Sequence, residues 1–167
     1  GDVYKRQVER AKLESTFTNY TDYLLSLNMT AVIRDFDDVY IQRIAQLTNK
    51  SNQFNLTTKR FTQAEMEAIM ADDRYVRLYG KLEDKYGDNG VITVVLGRKE
   101  GTVLHIELWL MSCRVLKRGM ELAMLDSLVE QAKKQGIKTL KGYYFKTPKN
   151  NMVREFYGAL GFTKISE

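Results

Sequence analysis

Cysteine and histidine are almost absent from this sequence. Its 167 residues include one of each, Cys113 and His105. A single cysteine excludes an intrachain disulfide and favours a reducing compartment. A zinc site needs three or four protein ligands, which one cysteine and one histidine supply only with the help of carboxylates. We therefore expect a protein that binds no metal.

Long hydrophobic runs are also missing. The longest, near Leu108–Met111, is far shorter than the roughly 20 apolar residues of a membrane-spanning helix. The sequence does not open with a charged and then apolar leader, which would indicate secretion. These absences predict a cytoplasmic protein that does not associate with a membrane.

The sequence has no concentrated charge of either sign. Lys and Arg number 26 against 21 Asp and Glu, a net charge of +5, and the basic residues are dispersed rather than gathered into an arm. Nucleic acid is therefore not an expected partner. A mildly basic surface suits an anionic small molecule or an acidic carrier protein.

The order of apolar patterns predicts one domain over residues 8–167. Residues 1–7, "GDVYKRQ", follow no period, and we expect a non-native tail outside the fold. Spacings of three and four predict helices, and alternation or short buried runs predict strands. The predicted order is helix 8–27, strand 29–34, a helix capped by Asp37 or Asp38, helix 62–72, strands 75–84, 89–97 and 102–111, helix 118–135, strand 137–145, helix 150–160 and strand 162–166. This order indicates an α/β (α+β) fold with a single mixed, mostly antiparallel sheet and helices on both faces.

A basic turn joins the third of those strands to the next helix, in "MSCRVLKRGM" at 111–120. Unpaired N–H groups at a helix start attract anions. Arg114, Lys117 and Arg118 add positive charge, and Gly119 allows close approach of the backbone. The segment is either a phosphate-binding loop or a solvated basic loop.

The segment "NNMVREFYGALGF" at 150–162 holds the second candidate. Tyr157 lies on the shoulder of the apolar helix face defined by Val153, Phe156 and Leu160. A tyrosine beside a developing anion is a usable general acid. The alternative is that Tyr157 only packs helix against sheet.

Together, in this order, the two segments resemble the GNAT acyltransferase superfamily. The resemblance implies that Leu110, Met111 and Ser112 pair with a pantetheine arm and that Asn150 faces the coenzyme. Tyr157 would protonate the departing thiolate. The pyrophosphate of coenzyme A would lie on the loop made of Arg114, Val115, Leu116, Lys117, Arg118 and Gly119. Lys117 stands where the family has its first glycine, and a positive φ there would cost about 1 kcal/mol.

A narrower resemblance covers nearly the whole sequence from about Val8. Four segments are similar to the C-terminal domain of FkbH-like proteins, which are also described as HAD superfamily subfamily IIIC phosphatases. They are "RIAQLTNKSNQFNLTTKRFT" (43–62), "DKYGDNG" (84–90), "MSCRVLKRGMELA" (111–123) and "TPKNNMVREFYGALGF" (147–162). The resemblance implies a HAD-type phosphatase domain in the full-length parent and an acyl carrier protein as partner. It also implies a glyceryl-type thioester in polyketide or surface-polysaccharide biosynthesis.

The polar residues of the first of these segments are candidate substrate ligands. Their amides and hydroxyl suit the hydroxyls and carbonyls of a small acyl group, or a pantetheine arm. They equally suit the backbone of a capped polar loop. The five candidates are Asn49, Ser51, Asn52, Gln53 and Asn55.

Strict alternation would place His105, Glu107, Trp109 and Met111 on one face of their strand. Glu107 resembles the position from which GNAT enzymes often present a general base, and His105 is the other titratable candidate. The alternative is a structural polar pair. Cys113 is either a nucleophile or a small buried hydrophobe.

The function that we predict is therefore acyl transfer from a thioester on the phosphopantetheine of an acyl carrier protein or coenzyme A. Two alternatives remain open. One is a free-standing acetyl-CoA-dependent N-acetyltransferase with Glu107 as base, and the other is a non-catalytic module that docks a carrier protein.

Overall fold

The computed structural model describes residues 1–8, 29–84, 87–113 and 119–167. Within these ranges the chain forms seven strands and four α-helices. In chain order they are β1 (Asp2–Gln7), β2 (Thr30–Arg34), α1 (Ile41–Lys50), α2 (Gln63–Met70), β3 (Tyr75–Asp84), β4 (Gly87–Glu100), β5 (Val103–Met111), α3 (Met120–Lys134), β6 (Thr139–Tyr144), α4 (Phe156–Ala159) and β7 (Thr163–Ser166).

The strands form a single mixed sheet in the order β2-β3-β4-β5-β6-β1-β7. Neighbouring strands are antiparallel except β5 and β6, which are parallel and are joined through α3. One apolar cluster packs α3 and α4 against the sheet, and a second packs α1 and α2 against other residues of the same strands. The predicted α/β architecture, with helices on both faces, is confirmed.

The first residues of the chain belong to this sheet. Strand β1 pairs with β6 on one side and with β7 on the other. Tyr4 and Arg6 are buried, and Arg6 Nη1 donates a hydrogen bond of 2.8 Å to the carbonyl of Leu160. The prediction that residues 1–7 lie outside the fold is wrong. Tyr4 and Arg6 are two positions apart and both face inward, which is the side-chain alternation expected of a short strand.

The predicted helices differ from the observed ones mainly at their ends. The capping box of α2 is confirmed, since Thr62 and Glu65 exchange side-chain and backbone hydrogen bonds. Helix α1 begins at Ile41 because Asp37 instead closes a turn, accepting from the Tyr40 N–H through its carboxylate. The predicted helix 150–160 is divided into a 3₁₀ turn at Asn151–Val153 and the short α4. The predicted helix 8–27 lies, except for Val8, outside the described residues.

A β-bulge in β5 changes which side chains share a face. Leu96 pairs with Leu108 and Gly97 with Ile106, so Glu107 is the extra residue. Such an insertion reverses the alternation of side chains along the strand. Trp109 accordingly packs in the same cluster as Ile106, and the prediction that His105, Glu107, Trp109 and Met111 share one face is wrong.

Candidate functional site

The parallel strands β5 and β6 diverge after a short stretch of pairing. They pair only from Val103 with Thr139 to Ile106 with Gly142. Residues 54–56 enter the gap beyond: the Leu56 N–H donates to the Trp109 carbonyl (3.1 Å), and the Met111 N–H donates to the Phe54 carbonyl (3.1 Å). On the other side the Phe145 N–H donates to the Leu56 carbonyl at 2.8 Å. The chain itself thus bridges the two strands.

This bridge corrects the prediction that Leu110, Met111 and Ser112 pair with a pantetheine arm. The Met111 N–H is taken by the bridging residues, and the Ser112 N–H donates to the Ile92 carbonyl. The Leu110 side chain is buried, and its carbonyl accepts from Thr93 Oγ1 at 2.7 Å. The edge of β5 that an arm would need is occupied by the protein's own backbone.

Asn150 secures the bridge from the side of β6. Its side chain is fully buried, and Nδ2 donates to the carbonyls of Asn55 and Phe145, each at 3.0 Å. Its Oδ1 accepts from the Thr147 N–H at 2.8 Å. The prediction that Asn150 faces a coenzyme is therefore wrong, because both ends of the amide bind the protein itself.

A cavity of about 800 Å³ lies where α1, the residues after it and the end of β5 meet. It is lined by Arg43, Leu47, Lys50, Ser51, Asn52, Gln53, Phe54, Met111, Ser112, Cys113 and Lys149. The fold thus brings together two candidate ligand-binding segments that lie far apart in the sequence: Ser51–Gln53, and the residues that follow β5. A volume of this size is within the usual range for ligand sites.

Asn49 and Asn55 do not line this cavity, although both were predicted substrate ligands. Asn49 Nδ2 donates to the carbonyls of Ala45 (3.1 Å) and Phe61 (3.0 Å). Asn55 is fully buried, donating to the Ser51 carbonyl and accepting from the Thr58 N–H. Their amides satisfy the backbone of the loop. Of the five predicted substrate ligands only Ser51, Asn52 and Gln53 line the cavity, and their binding of a substrate stays a prediction.

The charged residues that line the cavity, among those the structure describes, are all cationic. They are Arg43, Lys50 and Lys149, and no Asp or Glu of the described ranges lines the cavity. None of the three forms an ion pair with another residue in the described part of the chain. Cys113 is exposed at the lining, with its Sγ 3.5 Å from Gln53 Oε1. Sequence reasoning missed Arg43 and Lys50, although their spacing of i and i+7 places them on one side of α1.

In the chain, helix α3 follows Cys113 and begins at Met120. Its N-cap is Gly119, with a φ of 86°, a left-handed conformation that glycine adopts without strain. The close approach of a phosphate that was predicted for Gly119 stays a prediction, and the cap gives this glycine a separate structural reason. The predicted phosphate ligands Arg114, Val115, Leu116, Lys117 and Arg118 lie outside the described residues.

Tyr157 is completely buried on the α3 side of the sheet. A Cβ on Gly142 would lie 2.5 Å from Tyr157 Cζ, so the ring packs directly on β6. Its hydroxyl has no hydrogen-bond partner among the described residues. Burial raises the pKa of the phenol far above 10, so the hydroxyl remains protonated at neutral pH and is able to donate.

Glu107 lies elsewhere, beside a smaller cavity of about 300 Å³ that His105 and Tyr143 also line. Its carboxylate binds Arg98 Nε at 2.9 Å and Lys59 Nζ at 3.1 Å. His105 Nδ1 lies 2.6 Å from the Tyr143 hydroxyl. Glu107 and Tyr157, the two predicted catalytic residues, are not brought together: Glu107 lines this smaller cavity, whereas Tyr157 is buried in the core. Both oxygens of the Glu107 carboxylate have a cationic partner.

Two further properties bear on ligands and location. Among the described residues, no group of three or more His, Cys, Asp or Glu side chains is arranged to hold a metal ion. Within the same residues, no helix has the length and apolar character required to cross a membrane.

No family model matches the sequence, and a search of curated proteins found no relative. Solved structures do match. A ribosomal-protein-alanine N-acetyltransferase from Escherichia coli has 13% identity over 82% of this chain and 80% of its own, with a TM-score of 0.60. An acetyltransferase of the GNAT family from Streptococcus pneumoniae has 15% identity over 82% of this chain and 87% of its own, with a TM-score of 0.63.

A third match is a Mycobacterium tuberculosis protein solved in complex with CoA. It has 17% identity and a TM-score of 0.62, covering 81% of this chain and 73% of its own. At these identities the likeness defines the fold. The chain has the fold of GNAT acetyltransferases, as the resemblance of its motifs implies.

Proposed function

We propose that this chain is a GNAT-type acyltransferase domain that acts on a thioester carried by phosphopantetheine. The observation that carries the proposal is the shared cavity. Ser51–Gln53 and Ser112–Cys113 line one cavity in a GNAT fold, and the predicted anion-binding loop follows Cys113 in the sequence. Such a cavity is a default substrate site.

The bridge of residues 54–56 determines how the phosphopantetheine arm enters. Because these residues hold the edge of β5, the arm reaches the thioester position through the cavity rather than by pairing along the strand. Residues 114–119 would bind phosphate. Ser51, Asn52 and Gln53 would bind the acyl group. Tyr157 is buried and does not line the cavity, so supplying the proton to the thiolate would require its hydroxyl to become accessible when the substrate binds.

An acyl carrier protein is the preferred thioester carrier within this proposal. The sequence resemblance to FkbH-like proteins supports it, together with a glyceryl-type acyl unit and a HAD-type phosphatase domain in the parent. A carrier protein presents a single phosphodiester. A loop with Lys117 in place of a glycine needs fewer backbone N–H groups to bind one phosphodiester than to bind the pyrophosphate of coenzyme A. The basic net charge of +5 suits an acidic carrier.

The leading alternative is an acetyl-CoA-dependent N-acetyltransferase. It is favoured by the structural matches, two of which are named as acetyltransferases and one of which was solved with CoA. An amine acceptor needs a base. The base predicted for it, Glu107, contacts Lys59 and Arg98 through its carboxylate, so this alternative requires Glu107 to accept the proton of the amine beside those two cations.

Calorimetry of the whole chain distinguishes the candidates. Holo acyl carrier protein, apo carrier protein and coenzyme A are titrated separately at the same ionic strength. The proposal expects binding of the holo carrier that is at least tenfold tighter than binding of the apo carrier. Binding of coenzyme A alone would support the N-acetyltransferase, and equal binding of apo and holo carrier would support a docking module. Binding of none of them would refute all three.

A further inference from the structure

Two buried hydrogen-bond donors lie side by side on the α3 side of the sheet. Trp109 Nε1 and the Tyr157 hydroxyl are both buried, and neither has an acceptor among the described residues. Their rings meet nearly at right angles, with centroids 6.1 Å apart. Tryptophan and tyrosine usually satisfy these polar groups when they are buried. Both donors are therefore available to an acceptor that a ligand supplies.

Trp109 lies one position behind the wall of the large cavity. Met111 lines that cavity, and Trp109 precedes it by two residues and packs in the same apolar cluster. Residues at i and i+2 of a strand share a face. On this face of β5 the indole is therefore the next side chain after the cavity wall.

Phe156 stands between the cavity and both donors. Its ring contacts Phe54, which lines the cavity, with centroids 5.2 Å apart. The same ring contacts Trp109 at a centroid distance of 4.7 Å and Tyr157 at 5.3 Å. One phenylalanine side chain thus links the ring at the cavity to the two rings that carry the unused donors.

The two phenylalanines of this contact are held differently. Phe54 is buried, and its carbonyl accepts from the Met111 N–H at 3.1 Å. Phe156 is only partly buried, and it begins α4, which has four residues and no side-chain hydrogen bond at its N-cap. A helix of this length has little stability of its own. Phe156 is therefore the member of the pair that is able to move.

We infer that Phe156 is a gate and that Trp109 Nε1, behind it, donates to the carbonyl oxygen of the thioester. The inference rests on the proposed function, in which the arm enters through the cavity. The N–H groups of Met111 and Ser112 are already bonded to carbonyls of the chain, so the backbone at the end of β5 does not supply this donor. Movement of the same ring gives the thioester access to the Tyr157 hydroxyl.

The sequence has one tryptophan, so the indole N–H gives a single resonance in a nitrogen-15 correlation spectrum. S-acetylpantetheine is the probe, and pantetheine, which has the same arm without the acyl carbonyl, is the comparison. At saturation with each compound, we expect the resonance to lie further downfield with S-acetylpantetheine, because the N–H gains an acceptor. Neither compound contains a carrier protein or a nucleotide, so the result does not depend on which of them supplies the arm.

Substitutions test the gate and the donor separately by calorimetry. Phe156→Ala should tighten binding of S-acetylpantetheine about fivefold, because the closed state no longer competes with the ligand. Met152→Ala, which shortens a half-exposed side chain on the turn before α4, is the matched control and should change it less than twofold. Trp109→Phe keeps an aromatic ring without the N–H, and should weaken binding of S-acetylpantetheine at least tenfold but that of pantetheine less than twofold.

The outcomes separate this inference from the proposed function. If both compounds bind and the indole resonance takes the same position with each, Trp109 is not the donor, whereas the proposed function keeps its support. Binding to Phe156→Ala that is no tighter than binding to the parent would overturn the gate. If the parent binds neither compound, the inference and the proposed function are both wrong. The resonance of the parent decides the role of Trp109 even if Trp109→Phe does not fold.

Discussion

Replacing Tyr157 by phenylalanine separates the stability of the fold from the proposed chemistry. The hydroxyl is buried without a partner among the described residues. An unsatisfied buried polar group costs about 1–3 kcal/mol. Removing it while keeping the ring should raise the free energy of unfolding by about 1 kcal/mol, which corresponds to about 2–4 °C in Tm for a domain of this size.

Tyr79→Phe is the matched control because that residue is equally buried. Its hydroxyl donates to Asp37 Oδ2 at 2.7 Å, and burial together with this hydrogen bond raises the pKa of Tyr79 to about 12. Loss of a hydrogen bond to a charged group costs about 1.5–3 kcal/mol. In urea denaturation followed by the fluorescence of Trp109, the free energy of unfolding should therefore rise for Tyr157→Phe and fall for Tyr79→Phe. A loss of more than 1 kcal/mol in Tyr157→Phe would refute the assignment of an unpaired hydroxyl.

The same variant tests the proposed acid. If the phenol protonates the departing thiolate, Tyr157→Phe slows acyl transfer tenfold or more while holo carrier binding is unchanged. Transfer at the parent rate would end the acid role and leave Tyr157 as a packing residue. Because the stability of this variant is expected to rise, a loss of activity would not be explained by unfolding.

Two further predictions concern α3 and α4. The Asp126 carboxylate oxygens are buried without a hydrogen-bond partner in the described residues, and burial raises its pKa from 3.8 to about 6, an effect that Arg6 partly opposes. The free energy of unfolding should therefore fall as pH rises from about 4 to 6. In urea titrations, Asp126→Asn should be more stable than the parent by about 1 kcal/mol at pH 8 and equal to it at pH 4. Equal stability of the two proteins at pH 8 would contradict this prediction. In thermal scans, Gly119→Ala should lose about 1 kcal/mol of stability because its φ is 86°. Gly158 has no positive φ, and an added Cβ would meet only Glu155 Oε2 at 3.8 Å, so Gly158→Ala should gain about 0.5–1 kcal/mol. A neutral Gly119→Ala would show that the left-handed cap is not required.

The regular parts of the fold were predictable because they follow from periodic side chains. The capping box at Thr62 and the buried runs of β4 and β5 give strong local signals. Strand β1 was missed because six residues are too few to establish a period, and its partners are at the far end of the chain. The bulge at Glu107 was missed because alternation assumes a regular strand.

The candidate site was predictable in location more than in detail. Ser51, Asn52 and Gln53 line the cavity, but Asn49 and Asn55 have the same chemistry and instead bind the backbone. Composition does not separate these two uses of an amide, since the difference depends on which carbonyls the tertiary fold brings near. The same reason explains Asn150, whose side chain binds a carbonyl 95 residues away in the sequence.

The bridge of residues 54–56 also has a consequence for the order of folding. Residues 54–56 form backbone hydrogen bonds with β5 and with Phe145, the residue after β6. We therefore expect the bridge to form only after α3 has connected β5 to β6 and these two parallel strands have paired. Contacts between residues so far apart in the sequence form late in folding, because closing the loop between them costs conformational entropy before any hydrogen bond stabilises it. We therefore expect the cavity wall to be among the last parts of the domain to form and among the first to exchange amide hydrogens under mild denaturant.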